Sequence, residues 1–145
     1  MFWLRKSVAE NASGESVADK VATEAEGFYR SGRMHCAEAV LAAVKNEFIP
    51  GAGDEVVRLA SGFGNGSGAG CICGAVAGGT MAIGLAMGDD RKGSAAMTKE
   101  LQGWFKDEYR TTCCKALTAN GRKRCVEFTA NVAGKVAELL EQRNK

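Results

Sequence analysis

Between Ser61 and Gly70 a glycine stands at almost every second position, in the run Ser61-Gly62-Phe63-Gly64-Asn65-Gly66-Ser67-Gly68-Ala69-Gly70. Glycine loses more backbone entropy on ordering than any other residue, so neither a helix nor a packed strand forms easily there. Regular structure is therefore expected on either side of this tract. On both sides the apolar residues recur with helical spacing, and strand signals are sparse. Proline, the other strong breaker, occurs only at Pro50.

The periodicity predicts six helices. The first runs from about Glu15 to Arg30, with Val17, Val21, Ala25 and Phe28 on one face, and Ser31-Gly32 stops it. The second runs from about Cys36 to Phe48 with Val40, Leu41, Val44 and Phe48, and ends at Ile49-Pro50-Gly51. A short third helix, Asp54 to about Ala60, presents Val56, Leu59 and Ala60. After Cys73 comes the most apolar stretch of the chain, Gly74 to Gly88, studded with Gly74, Gly78, Gly79 and Gly84. These glycines lower helix propensity but let neighbouring backbones approach closely, so a buried central helix is expected. A fifth helix is expected from about Ser94 to Thr112 on the stripe Met97, Leu101, Trp104 and Phe105. The last, about Arg122 to Gln142, aligns Cys125, Phe128, Val132, Val136, Leu139 and Leu140. With no internal repeat and no linker, residues 1–145 read as a single compact all-α domain, residues 1–14 forming a loosely ordered N-terminal segment.

A chain of 145 residues can build such a core without disulfide staples. The formal charge of +2 gives no electrostatic case for nucleic-acid binding. Arg122-Lys123-Arg124 lacks interleaved aromatics and reads as a solvated helix start. The opening Met1-Phe2-Trp3-Leu4-Arg5-Lys6 has too few apolar residues for a secretory signal, and its charges follow them. Gly74 to Gly88 falls short of the roughly 20 residues a membrane span needs, and Asp89-Asp90 close it. The expectation is a cytoplasmic protein with no membrane insertion. Thiols are kept reduced in that compartment.

Against that background six cysteines point to metal binding or redox chemistry. Cys36, Cys73 and Cys125 fall at expected helix starts, where unpaired N–H groups and the helix dipole favour a thiolate. Cys113-Cys114 lie at the end of the fifth helix or in the turn after it. The glycine-rich lead-in surrounds Cys71 and Cys73 with backbone N–H groups, notably around Gly70 and Gly74, that can bond to thiolate or cluster sulfur. The spacing matches no standard zinc module, and no Cys-x-x-Cys-His for covalent haem is present. His35 reads as a surface histidine capping the second helix. The alternate glycines resemble a phosphate loop, but no strand leads in and no Gly-Lys-Ser/Thr follows.

Four blocks together resemble the C_GCAxxG_C_C family of redox-active proteins. They are His35-Cys36-Ala37-Glu38-Ala39-Val40-Leu41; Leu59 to Gly64; Cys73-Gly74-Ala75-Val76-Ala77-Gly78; and Cys114-Lys115-Ala116-Leu117 with the later Cys125. The resemblance runs from about Val17 to Leu140. It implies a small helical domain whose four shared cysteines map to Cys36, Cys73, Cys114 and Cys125. The family also looks related to the non-haem part of split-Soret cytochromes, where an iron–sulfur centre has been proposed; their haem segment has no counterpart here. Cys71 and Cys113 are additional to the pattern, so either could replace its neighbour as the working thiol. Val126 stands where proline is expected, and the loop 65–69 lacks a bulkier, methionine-containing sequence.

Three functions follow as expectations. In the first, Cys36, Cys73, Cys114 and Cys125 are both the redox-active residues and the metal ligands of an iron–sulfur cluster, for electron transfer or redox sensing. Gly70, Cys71, Gly74 and Cys113 then contribute neighbouring groups. In the second, the protein is a metal-free dithiol that cycles through a disulfide, with Cys73 attacking. In the third, it is a zinc-stabilised or structural helical module that binds a partner. The first two need a redox partner protein. Helices rich in small residues also leave a homodimer open.

Overall fold

The computed structural model describes residues 15–144, and the segment expected to be a loose N-terminal arm lies outside them. Among the described residues all regular structure is helical. Ser16 caps α1 (Val17–Arg30) by accepting the Asp19 N–H at 3.0 Å. At the start of α2 (Cys36–Phe48) the backbone N–H of His35 donates to Glu38 Oε1 at 3.0 Å. A single turn, α3 (Glu55–Arg58), leads through a 3₁₀ turn at Ser61–Phe63 into the glycine tract. The buried glycine-rich helix α4 spans Gly74–Met87. Then follow α5 (Arg91–Tyr109), the one-turn α6 (Cys114–Leu117) and α7 (Cys125–Arg143).

The core is where the apolar stripes meet. Helix α7 packs along α1 and against α2 and α4, while α4 lies between α2 and α5. Val21 and Ala25 of α1, Val40 and Val44 of α2, and Phe128, Val132 and Val136 of α7 are fully or almost fully buried. Leu101 and Phe105 carry α5 into the same core, with Met97 and Trp104 packed partly buried beside them. The expected stripes are thus the faces the fold buries. The exception is Leu59, which is 68% exposed while Ala60 beside it is buried. The helix expected there ends at Arg58, so its periodicity no longer governs the next residues.

Helix ends differ from the sequence reading by a few residues, most at α5, which spans Arg91–Tyr109 rather than Ser94–Thr112, and at α7, which begins at Cys125 rather than Arg122. Helix α5 begins at Arg91 because Asp90 caps it, its Oδ1 accepting the Gly93 N–H at 2.9 Å. The glycine tract is folded rather than irregular: residues 66–70 close a wide turn, with the Cys71 N–H bonded to the Gly66 carbonyl at 3.2 Å. Positive φ at Asn65, Gly66, Ser67, Gly68 and Gly70 makes that turn. Glycine is the residue that enters this region without steric cost.

A cavity lined by four thiols

Close approach of α2 and α4 begins the site. A Cβ on Gly78 would meet the Ala37 backbone, and one on Gly74 would collide with the Cys36 sulfur and approach the Phe63 carbonyl at 2.9 Å. Two glycines four residues apart share one helix face. Their bare backbone seats the first turn of α2 and sets Cys36 beside the start of α4. Cys73 is the residue before that start, and its N–H donates to the Thr112 carbonyl at 2.6 Å. This bond ties α4 to the segment leading into α6, whose first residue is Cys114. On the far side of that segment, a Cβ on Gly66 would lie 2.6 Å from the Cys114 Cβ, so the wide turn packs directly on Cys114. Cys125 opens α7.

Cys36, Cys73, Cys114 and Cys125 consequently line one cavity of about 50 Å³. Tyr29, His35, Asn65, Arg122 and Phe128 contribute to its walls. At about 10–15 Å³ for each water, there is room for about three to five waters, which suits an ion or a small inorganic group. Cys73, Cys114 and Cys125 are buried and Cys36 is partly exposed. Burial pushes the Cys36 thiol up to about 12, and thiolate charge at Cys73 and Cys125 adds to the shift. Burial likewise raises Cys73 to about 11, against the lowering effect of the Val76 and Ala75 backbone N–H groups. Desolvation outweighs the favourable helix start at both sites. Among the described residues no three Cys, His, Asp or Glu side chains are placed to hold one metal ion. The four cysteines line a shared space without three of them being placed to hold a single ion.

The two additional cysteines stand elsewhere. Cys71 is exposed and Cys113 partly exposed, and neither lines the cavity. Their sulfurs lie 4.0 Å apart, and Cys113 Sγ also reaches the Gly70 carbonyl at 3.3 Å. Of the glycines named with them, Gly74 lines the cavity and Gly70 does not.

Among the wall residues that escaped the sequence reading are Arg122 and Tyr29. Arg122, read as part of a solvated helix start, directs Nη1 to Cys114 Sγ at 4.0 Å. Tyr29 comes from the last turn of α1, near enough that thiolate charge at Cys125 and Cys36 adds to the rise that burial gives its phenol. No local pattern marks either, since only the tertiary fold brings them to the cysteines. His35 precedes α2 as expected and is exposed, yet it too touches the cavity.

Residues 34–139 match the family model described as putative redox-active protein (C_GCAxxG_C_C). The chain belongs to the C_GCAxxG_C_C family. Comparison with curated proteins and with solved structures gave no match. The four cysteines that line the cavity are those to which the sequence resemblance maps the family's shared cysteines, and Cys71 and Cys113 do not line it. Among the described residues no helix is long and apolar enough to cross a membrane.

Proposed function

We propose that Cys36, Cys73, Cys114 and Cys125 hold an iron–sulfur cluster and that the protein transfers electrons or senses redox state through it. The observation that carries this reading is the gathering of four thiols, from four separate elements, around one small cavity. Four cysteines are the usual ligand set of [2Fe–2S] and [4Fe–4S] clusters. The donor chemistry fits, and so does the placement of the four residues around one cavity, because a cluster offers several iron atoms over a volume. A mononuclear zinc site needs its ligands aimed at one point, which these side chains are not.

The raised thiols of Cys36 and Cys73 favour this reading over metal-free dithiol exchange. With Cys36 at about 12 and Cys73 at about 11, both stay protonated near neutral pH. The thiolate is the nucleophile in disulfide exchange, so buried neutral thiols exchange slowly. A cationic centre reverses the balance, because coordinated thiols lose their protons. When bound, the cluster would supply one-electron exchange. The chain supplies the rest. Cys36, Cys73, Cys114 and Cys125 ligate, the Val76 and Ala75 N–H groups point at the Cys73 sulfur, and Arg122 places a positive charge beside Cys114.

The test is anaerobic reconstitution of the full chain with iron and sulfide, read by metal content and visible absorption. Stoichiometric iron and sulfide with a charge-transfer spectrum are expected. Each of C36S, C73S, C114S and C125S should lower bound iron at least several-fold, and C71S should leave it unchanged. A colourless protein without iron, or one that takes up only zinc, overturns the proposal.

A further inference from the structure

Cys71 and Cys113 are left over from the four-thiol set, yet the fold brings them together across 42 residues of chain. Their sulfurs are 4.0 Å apart and neither is in a disulfide. The backbone on both sides is anchored. The Cys71 N–H bonds to the Gly66 carbonyl at 3.2 Å, and the Cys113 N–H to Thr111 Oγ1 at 3.0 Å. Two residues on from Cys71, the bond from Cys73 to the Thr112 carbonyl joins the two segments directly. The sulfurs therefore face each other across a braced junction, with Cys71 open to solvent. A disulfide needs them about 2 Å apart. The two pairs that are neighbours along the chain are less suited. Cys71 with Cys73, or Cys113 with Cys114, would close a very small ring, and Cys73 and Cys114 are buried.

We propose that Cys71 and Cys113 form a reversible disulfide that clamps the wide glycine turn to the segment entering α6, whatever occupies the cavity. The oxidant is a disulfide of a small thiol. Cys71, the more accessible sulfur, gives up its proton and attacks one sulfur of that disulfide. The external S–S bond breaks, one small thiolate leaves, and a mixed disulfide forms on Cys71. Cys113, deprotonated in turn, attacks the Cys71 sulfur and releases the second small thiolate, which with the first takes up the two protons. The protein loses two protons and two electrons, and the external disulfide is reduced to two thiols. Reduction by a dithiol runs the same steps backwards. Cys73 and Cys114 lie two residues and one residue from the bridge, so the clamp fixes the spacing between two walls of the cavity.

The test exposes the reduced full chain, before and after anaerobic treatment with iron and sulfide, to glutathione disulfide and reads intact mass. A monomer lighter by two hydrogens, with no glutathione retained, is expected in both preparations. Cys71 and Cys73 share one tryptic peptide, as do Cys113 and Cys114, so variants assign the link. C71S and C113S should each lose it and keep one glutathione on the remaining thiol. C73S and C114S should retain it, and circular dichroism reports that all four fold. Two retained glutathiones in the wild type, or an unchanged internal link in C71S, overturns the proposal. Because the iron-free protein is tested as well, this result is independent of whether a cluster forms.

Discussion

A single methyl group at position 74 would occupy the space of the Cys36 sulfur. Gly74→Ala is therefore expected to push α2 away from α4 and to cost about 1–3 kcal/mol, the range for overpacking a tight contact. It should also lower iron incorporation, because the displaced atom is a proposed ligand. Thermal unfolding and iron content measured on the same samples check both effects. Gly84 is the internal control: a Cβ there meets nothing within 4 Å, so Gly84→Ala should be neutral or slightly stabilising through helix propensity. The two substitutions are chemically identical and lie on the same helix. A loss of stability for both would show that close approach at position 74 is not what the glycine serves.

Helices α5 and α7 are held by an aromatic cluster whose centre is Tyr109. Its ring lies 4.7 Å from that of Phe105 and 4.8 Å from that of Phe128, and its hydroxyl accepts Asn131 Nδ2 at 2.6 Å. Burial raises the phenol to about 12, against an ordinary value of 10.0. The folded state thus holds the proton more tightly than the unfolded chain. Its contribution to stability is complete below about pH 10 and is lost as pH rises through 12. Tyrosinate absorbance should report Tyr109 ionising late, and Tyr109→Phe should flatten this part of the stability profile. The N-terminus of α5 offers a second check. Asp90→Ala removes the acceptor for the Gly93 N–H and should cost about 1 kcal/mol, read as a lower denaturant midpoint. Unchanged stability would mean that Asp90 is not the working cap.

At the scale of the whole chain, the helices were legible because their signal is local. Val132 and Val136, or Val21 and Ala25, fall on buried faces since a 3.6-residue repeat fixes which side of a helix they occupy. Asp90 was misread for a related reason. With Asp89 it closes the apolar stretch that ends at Gly88, while its side chain caps α5. The cavity was legible only in part. The family pattern separated four cysteines from six, but no spacing along the chain foretells that Arg122 reaches Cys114 or that Cys71 faces Cys113. Those contacts are set by how helices pack. The same property has a consequence for biosynthesis. Cys36 leaves the ribosome roughly 90 residues before Cys125, a delay of about 5–20 s at ordinary elongation rates. Throughout that interval the wall that α7 contributes does not exist. Loading of the proposed cluster would therefore be post-translational, and the nascent thiols would need a reducing milieu until the last helix docks.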